Sequence, residues 1–372
     1  MSLHKNVIAI VDANENASRI RGLGVSHAKP IMPVLARYNL VDFAFSNLIY
    51  AGIYPVFLLV DKPNRHIFNY IGTGSPWNLN RRSNGIHYLF STKEQIGTGN
   101  NLGALYKTVS FVKSIDRDVV LLTNTNTINR IDYVEMYEKL KTSGADIVWA
   151  FRREANHDRY LNMEILKFNA RTEKVVNFGI NTGSKEEIKI DLGIFMMSKK
   201  MYLSLISEAV ELNINSKFET FLKSKVEELK IIAYEIDTWV GFLNSAEEYF
   251  ENQLKLMNDQ NIAVETFTKF PLYTRELDQT SSYYSQSASV SNSLLASGCK
   301  IKGKVKNSIL FRGVEIGKNA EVEDSIILSN VIIGDNVKLK NIIIDENAII
   351  SSEKTLIADK KSPLVIMKNS KI

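Results

Sequence analysis

The chain has 372 residues, of which 45% are hydrophobic and 23% charged, and a net charge of +5; this is enough chain for two domains with real cores, and the composition is that of an ordinary globular protein. The mild positive charge suits anionic small ligands and, with no basic stripe interleaved with aromatics, argues against nucleic acid as a partner. Cys299 is the only cysteine, so an internal disulfide and a multi-cysteine metal site are excluded, and a reducing cytosol fits. No apolar run approaches a membrane span. Val7 to Val11, ended by Asp12, is too short for a signal-peptide core, and a cytoplasmic location is expected.

Val7 to Val11 reads as a buried strand. A polar loop, Asp12 to Ser18, follows, then Arg19 and Arg21. Ala28-Lys29-Pro30 with Pro33 makes a rigid extended piece, because proline fixes its own φ and restrains its predecessor. Leu40 to Ala51 is an amphipathic helix closed by Gly52. Val56 to Val60 is a second strand, Lys62 to Ile71 a helix, Ser75 to Gly85 a polar loop and His87 to Phe90 a further strand. Ile96-Gly97-Thr98-Gly99-Asn100-Asn101 opens a helix running to about Val112. The strand Val119 to Leu122, the helix Tyr133 to Lys141 and the strand Ile147 to Ala150 continue the α/β rhythm.

The middle is less regular. Asn162 to Asn181 reads as strands with turns, and Lys189 to Met197 as one strand. Lys199 to Glu208 and Phe218 to Leu229 read as helices, Ile231 to Tyr234 as a last strand, and Ala246 to Met257 as a last helix with Asn244-Ser245 as its cap. The pattern then fades. Residues 261–287 read as a linker whose tyrosines pack against a neighbouring domain.

The end of the chain repeats. Val290 to Leu295 returns as Val305 to Leu310, Val322 to Ile327 and Leu339 to Ile344, the later copies spaced by about 17 residues, close to three six-residue rungs. Val314-Glu315-Ile316-Gly317 matches Val331-Ile332-Ile333-Gly334. One inward aliphatic per rung, a small residue at the corner and polar turns are what a parallel β-helix needs, and its terminal coils need a cap or a partner. Three regions result: 1–260, a linker 261–287, and 288–372.

A strand, a loop over the sheet edge and a helix place a ligand beyond the carboxyl ends of the strands. Arg19, Ala28-Lys29-Pro30, Pro33, Tyr38, Asp42-Phe43, Ser46-Asn47 and Gly52-Ile53 fall in order on a pattern that resembles the sugar-phosphate nucleotidyltransferases, and among them the ADP-glucose pyrophosphorylases. The repeat resembles the left-handed hexapeptide β-helix that follows the nucleotidyltransferase domain in that family. The resemblance implies an α/β Rossmann-like nucleotidyltransferase domain with a GT-A-like mixed sheet, followed by a left-handed parallel β-helix.

In that family the first loop is glycine-rich, so that backbone N–H groups can touch a triphosphate. Here Asn14, Glu15 and Ala17 stand in the glycine positions. One like-charge contact at ~4 Å costs about 4 kcal/mol at an effective dielectric near ~20, or nearly a thousandfold in affinity. The family's Gly-Asp-His supplies a Mg²⁺ carboxylate; counting back from Asp132-Tyr133 places Thr125-Asn126-Thr127 there. A second metal carboxylate falls on Gly241-Phe242-Leu243-Asn244, which has none, and nearby Asp237 reads as a surface aspartate. The sugar-phosphate motif Phe-x-Glu-Lys-Pro falls on Phe178-Gly179-Ile180-Asn181-Thr182. Asp191-Leu192-Gly193-Ile194-Phe195 keeps only a glycine and an apolar frame.

The degenerate positions Asn14, Glu15, Ala17, Asn126 and Asn181 thus touch all three chemical requirements. The resemblance implies a non-catalytic subunit that regulates or activates a catalytic ADP-glucose pyrophosphorylase subunit in a heterotetramer for glycogen synthesis. Such a chain binds no cofactor strongly, and Mg²⁺ serves the catalytic partner. Arg19, Arg21, His27, Lys29 and Arg37, with Gly97 and Thr98, are candidates for a nucleotide or phosphorylated ligand; for the basic residues a solvated loop that packs an interface is the equal alternative. Asp42 reads as structural. An active nucleotidyltransferase with an atypical loop would need Asp12 or Asp237 on Mg²⁺. An acyltransferase built on the repeat would want a histidine base, and all five histidines precede it.

Overall fold

The computed structural model describes every residue except 1, 4, 15–19, 21, 24–26, 61–62, 82–84, 92–100, 156 and 184–186. The chain forms two compact units, one of Met1–Glu15, Phe43–Thr125 and Asn129–Val240, the other of Asn16–Asp42, Asn126–Ile128 and Gly241–Ile372.

The first unit is built on a nine-stranded mixed sheet. Its strands are β1 (Val7–Asp12), β2 (Val56–Val60), β3 (Ile86–Phe90), β4 (Val119–Asn124), β5 (Ile147–Glu154), β6 (Glu164–Phe168), β7 (Val175–Ile180), β8 (Ile188–Ser198) and β9 (Ile231–Glu235). Their path runs β7-β6-β8-β4-β1-β2-β3, with β5 joining β8 and β9. β1 is parallel to β2 and β4, whereas β8 runs antiparallel to β4 and β5. Val7 to Val11 are all buried, as a central parallel strand covered on both faces requires. Helices α1 (Leu40–Tyr50), α2 (Arg65–Ile71), α3 (Leu102–Ser114), α4 (Tyr133–Ser143), α5 (Lys199–Glu211) and α6 (Phe218–Ser224) are set between the strands. α6 is shorter than the sequence suggests: after Ser224 the chain tightens into i→i+3 bonds, Val226 N–H to Lys223 O and Glu228 N–H to Lys225 O. Among the described residues no helix is long and apolar enough to cross a membrane.

The second unit contains a parallel β-helix of three five-stranded faces, consistent with the left-handed form. Its core is three aliphatic columns in register: Ile301-Ile316-Ile333-Ile350, Val305-Val322-Leu339-Leu356 and Leu310-Ile327-Ile344-Ile366. Each fully buried aliphatic contributes about 1.5–3 kcal/mol. The asparagines and aspartate at the corners, Asn307, Asn319, Asp324, Asn330, Asn336, Asn341 and Asn347, take positive φ, which asparagine tolerates best after glycine. Several stack by side-chain hydrogen bonds, as in Asn319 to Asn336 and Asn336 to Glu353. The repeated serines also form a column: Ser308 Oγ accepts from Ser325 N–H, and Ser325 Oγ from Ile342 N–H. A Cβ on Gly334 would stand 2.6 Å from Ser352 N and 2.9 Å from Ser352 Cα, backbone atoms of the next coil. Gly334→Ala therefore lowers stability by about 1–3 kcal/mol, read as a lower urea midpoint.

One face of the β-helix is buried on its outside as well, at Ile309, Ile326 and Ile343. That is why the unit recruits earlier chain. Gly22 lies against Val365, and His27 reaches Asp345. Helix α7 (Ala246–Asn258) anchors the same segment, because Tyr249 Oη donates to Pro33 O at 2.8 Å and Gln253 Oε1 accepts from Leu35 N–H at 2.7 Å. The stretch read as a linker holds a further helix, α8 (Gln260–Thr268), capped by the Asp259 carboxylate. It also holds the first β-helix strand, Tyr283–Tyr284, paired with Lys300–Ile301. Both tyrosines are more than half exposed.

Candidate functional site

β1 and β4 are parallel neighbours whose ends stand side by side, Asp12 opposite Asn124. Polar side chains cross this carboxyl edge. Asp12 Oδ1 accepts from Asn14 N–H at 2.9 Å and Oδ2 from Asn101 Nδ2 at 2.7 Å. Asn101 Oδ1 accepts from Phe218 N–H at 3.0 Å, tying α3 to α6. Asn124 Nδ2 donates to Leu192 O at 2.8 Å and Gly193 O at 3.2 Å. Gly193 is in the left-handed region, and a Cβ there would lie 3.1 Å from Glu219 Oε2 and 3.2 Å from Asn124 Nδ2.

From Gly193 the network passes into a buried charged group. Asp191 Oδ1 accepts from Trp149 Nε1 at 2.6 Å and from Gly193 N–H at 2.8 Å. Asp191 Oδ2 is 2.6 Å from Lys223 Nζ. Lys223 also pairs with Glu219 at 2.6 Å, one turn back on α6, and with Glu164 of β6 at 2.7 Å. Its ammonium faces the rings of Trp149 and Phe178. Burial and then Asp191 push the Glu219 carboxyl up to about 7 from its ordinary 4.5. Burial pulls the Lys223 ammonium down, but the Asp191, Glu219 and Glu164 carboxylates outweigh it and hold the lysine well above its usual range. Folding therefore favours the protonated Glu219, and the stability this gives is complete below pH 4.5 and lost as pH rises through about 7. The unmodified chain is expected to lose urea midpoint between pH 5 and pH 8, and Glu219→Gln to flatten that fall.

Three of the degenerate positions lie among the described residues. Asn14 follows Asp12 and donates its N–H to it. Asn181 is buried and turned inward: Nδ2 donates to Tyr160 O at 2.8 Å and Oδ1 accepts from Gly183 N–H at 3.1 Å. Its neighbour Ile180 is 58% exposed. Asn126 stands before the short strand Thr127–Ile128, which pairs with Gly241–Phe242. Glu15, Ala17, Arg19, Arg21, Gly97 and Thr98 lie outside the described residues.

The three described basic candidates each have a partner. His27 is buried with Nε2 2.8 Å from Asp345 Oδ1. Lys29 is buried and donates to Asn244 Oδ1 at 3.3 Å. Arg37 is half exposed, 3.4 Å from Glu276. Asp42 closes the first turn of α1, accepting from Asn39 N–H at 2.9 Å and from Thr274 Oγ1 at 2.6 Å. Asp237 is exposed, and its carbonyl accepts from Arg152.

Among the described residues the donors do not fit a Mg²⁺. Asn126 stands at the position assigned to the first metal carboxylate, and the stretch Gly241-Phe242-Leu243-Asn244 assigned to the second holds no carboxylate. Asp12 is engaged by Asn14 and Asn101. A hard divalent cation wants carboxylates free to coordinate. The carboxylates of Glu164, Asp191 and Glu219 do lie within 4.8 Å of one another, but the Lys223 ammonium already sits on them. This group escaped sequence reasoning, although Glu219 and Lys223 stand at i and i+4 on α6; on a helix that spacing is usually a solvated surface pair.

Residues 11–239 match the family described as nucleotidyl transferase, and residues 279–363 match the GlmU-like C-terminal hexapeptide family. The chain is 27% identical to a glucose-1-phosphate adenylyltransferase of Geobacillus stearothermophilus, over 86% of this chain and 84% of that one. It is 28% identical to the enzyme so named in Thermosipho africanus, over 86% and 78%, and 28% identical to that of Mycoplasma mobile, over 86% and 85%.

Proposed function

We propose a function from one premise: the chain belongs to the nucleotidyl transferase family. It is a regulatory or activating subunit of a glucose-1-phosphate adenylyltransferase, which makes ADP-glucose and diphosphate from ATP and glucose 1-phosphate for glycogen synthesis. It works in the cytoplasm as part of a heterotetramer with a catalytic subunit, and Mg²⁺ serves that subunit. The observation that carries this reading is the engagement of the described polar side chains at the carboxyl edge of the sheet. Asp12 is held by Asn101, Asn101 by α6 and Asn124 by β8, and Asp191 is paired with Lys223. A catalytic edge would instead present free N–H groups, free carboxylates and a free cation to phosphates.

The β-helix supports an assembly role, since its ladder of coils has ends that another surface can cover. The basic residues Arg19, Arg21, His27, Lys29 and Arg37 remain the candidates for a phosphorylated or nucleotide effector, with Arg37 the most open of those described. The second reading, an active nucleotidyltransferase with an atypical loop, requires Asp12 or Asp237 to give up its present surroundings for Mg²⁺. ADP-glucose formation by this chain, by a catalytic relative and by their mixture separates the two readings.

A further inference from the structure

Lys223 is 12% exposed, and its Nζ has carboxylate oxygens at 2.6, 2.6 and 2.7 Å from three different elements: Asp191 of β8, Glu219 of α6 and Glu164 of β6. Lys223 thus ion-pairs with all three, and its contact with Glu164 is also a hydrogen bond. Asp191, the buried member, is fixed from its other oxygen by Trp149 Nε1 and Gly193 N–H. Aromatic rings face the ammonium, Trp149 at 5.7 Å and Phe178 at 5.4 Å. Three carboxylates against one ammonium leave the group negative whichever proton state Glu219 takes. The arrangement is that of a cation in an oxygen cage, with the cation covalently attached to the cage.

We infer that Lys223 is a tethered cation that permanently fills a three-carboxylate site at this end of the sheet and bars that site to phosphorylated ligands. A free anion would have to displace an ammonium paired with three carboxylates and then face those carboxylates. That the barred ligand is the sugar phosphate of active relatives rests on the function proposed above; the filled cage does not.

The test uses the full chain with ¹⁵N-labelled lysine. The expected result is an ammonium signal protected from solvent exchange at neutral pH that is absent in Lys223→Arg and unmoved by millimolar glucose 1-phosphate or inorganic phosphate. In Lys223→Ala the freed carboxylates take Tb³⁺, and its emission excited through Trp149 rises about tenfold over the unmodified chain. A chain with no protected ammonium that Lys223→Arg removes, or one in which that signal moves with glucose 1-phosphate, overturns the inference. So does a folded Lys223→Ala that gains no emission. If that variant does not fold, the ammonium signal of the unmodified chain decides alone. Turnover by the chain alone with the ammonium signal unmoved overturns the proposed function and leaves the tethered cation standing.

Discussion

A Trp149→Ala chain unfolds about 3–5 kcal/mol more easily than the unmodified chain, the range for truncating a large buried aromatic. Trp149 is fully buried on β5, stacked on Phe195 with ring centroids 4.5 Å apart and tilted on Phe178 at 5.0 Å. Its loss opens a cavity in the middle of the first unit's core, where packing relaxes only in part. It also removes the Nε1 donor that holds Asp191 Oδ1 at 2.6 Å. A buried acceptor stripped of a partner adds about 1–3 kcal/mol, so the upper end of the range is expected. Trp149→Phe keeps most of the ring volume and loses the donor, and it should fall between the two. Urea unfolding followed by circular dichroism measures all three; equal midpoints for Trp149→Ala and the unmodified chain would mean that the stack and the Asp191 contact contribute nothing.

The second large effect concerns activity. Assayed alone with Mg²⁺, ATP and glucose 1-phosphate, the chain is expected to make ADP-glucose at least about a thousandfold more slowly than a catalytic relative. Two independent deficits point the same way. A mispositioned or missing stabiliser of transition-state charge costs about 10²–10³ in rate, and here Asn126 replaces one metal carboxylate and Gly241-Phe242-Leu243-Asn244 supplies none for the other. Glu15 in a phosphate loop adds the repulsion estimated from the sequence. Restoring one group should not recover the rate, because Asn126→Asp still leaves residues 241–244 without a carboxylate and Lys223 paired with three carboxylates.

The fold was legible where a physical pattern repeats. The aliphatic columns of the β-helix stand in the sequence at a fixed spacing, and the parallel strands of the first unit are short apolar runs that tolerate little else. Helix α8 was hidden because Thr266 is its only buried residue and Val264 is 58% exposed; a helix that buries so little leaves no apolar stripe to read. The strand Tyr283–Tyr284 was hidden because its outermost coil needs no aliphatic core. The site was legible only as absences. That Asn14, Asn126 and Asn181 carry no charge is visible in the chain, but the cage around Lys223 joins residues 32 and 59 positions away. No local pattern marks a lysine whose partners arrive from other strands. His27 and Lys29 read as exposed cations for the same reason, since Asp345 and Asn244 lie far along the chain.

The most direct measurement is the rate of ADP-glucose formation by this chain, by a catalytic relative and by an equimolar mixture, with Mg²⁺ present throughout. The regulatory reading predicts a silent chain and a mixture that exceeds the catalytic relative alone or answers differently to effectors. Turnover by the chain alone at an enzyme's rate, or a mixture no different from the relative, would contradict it.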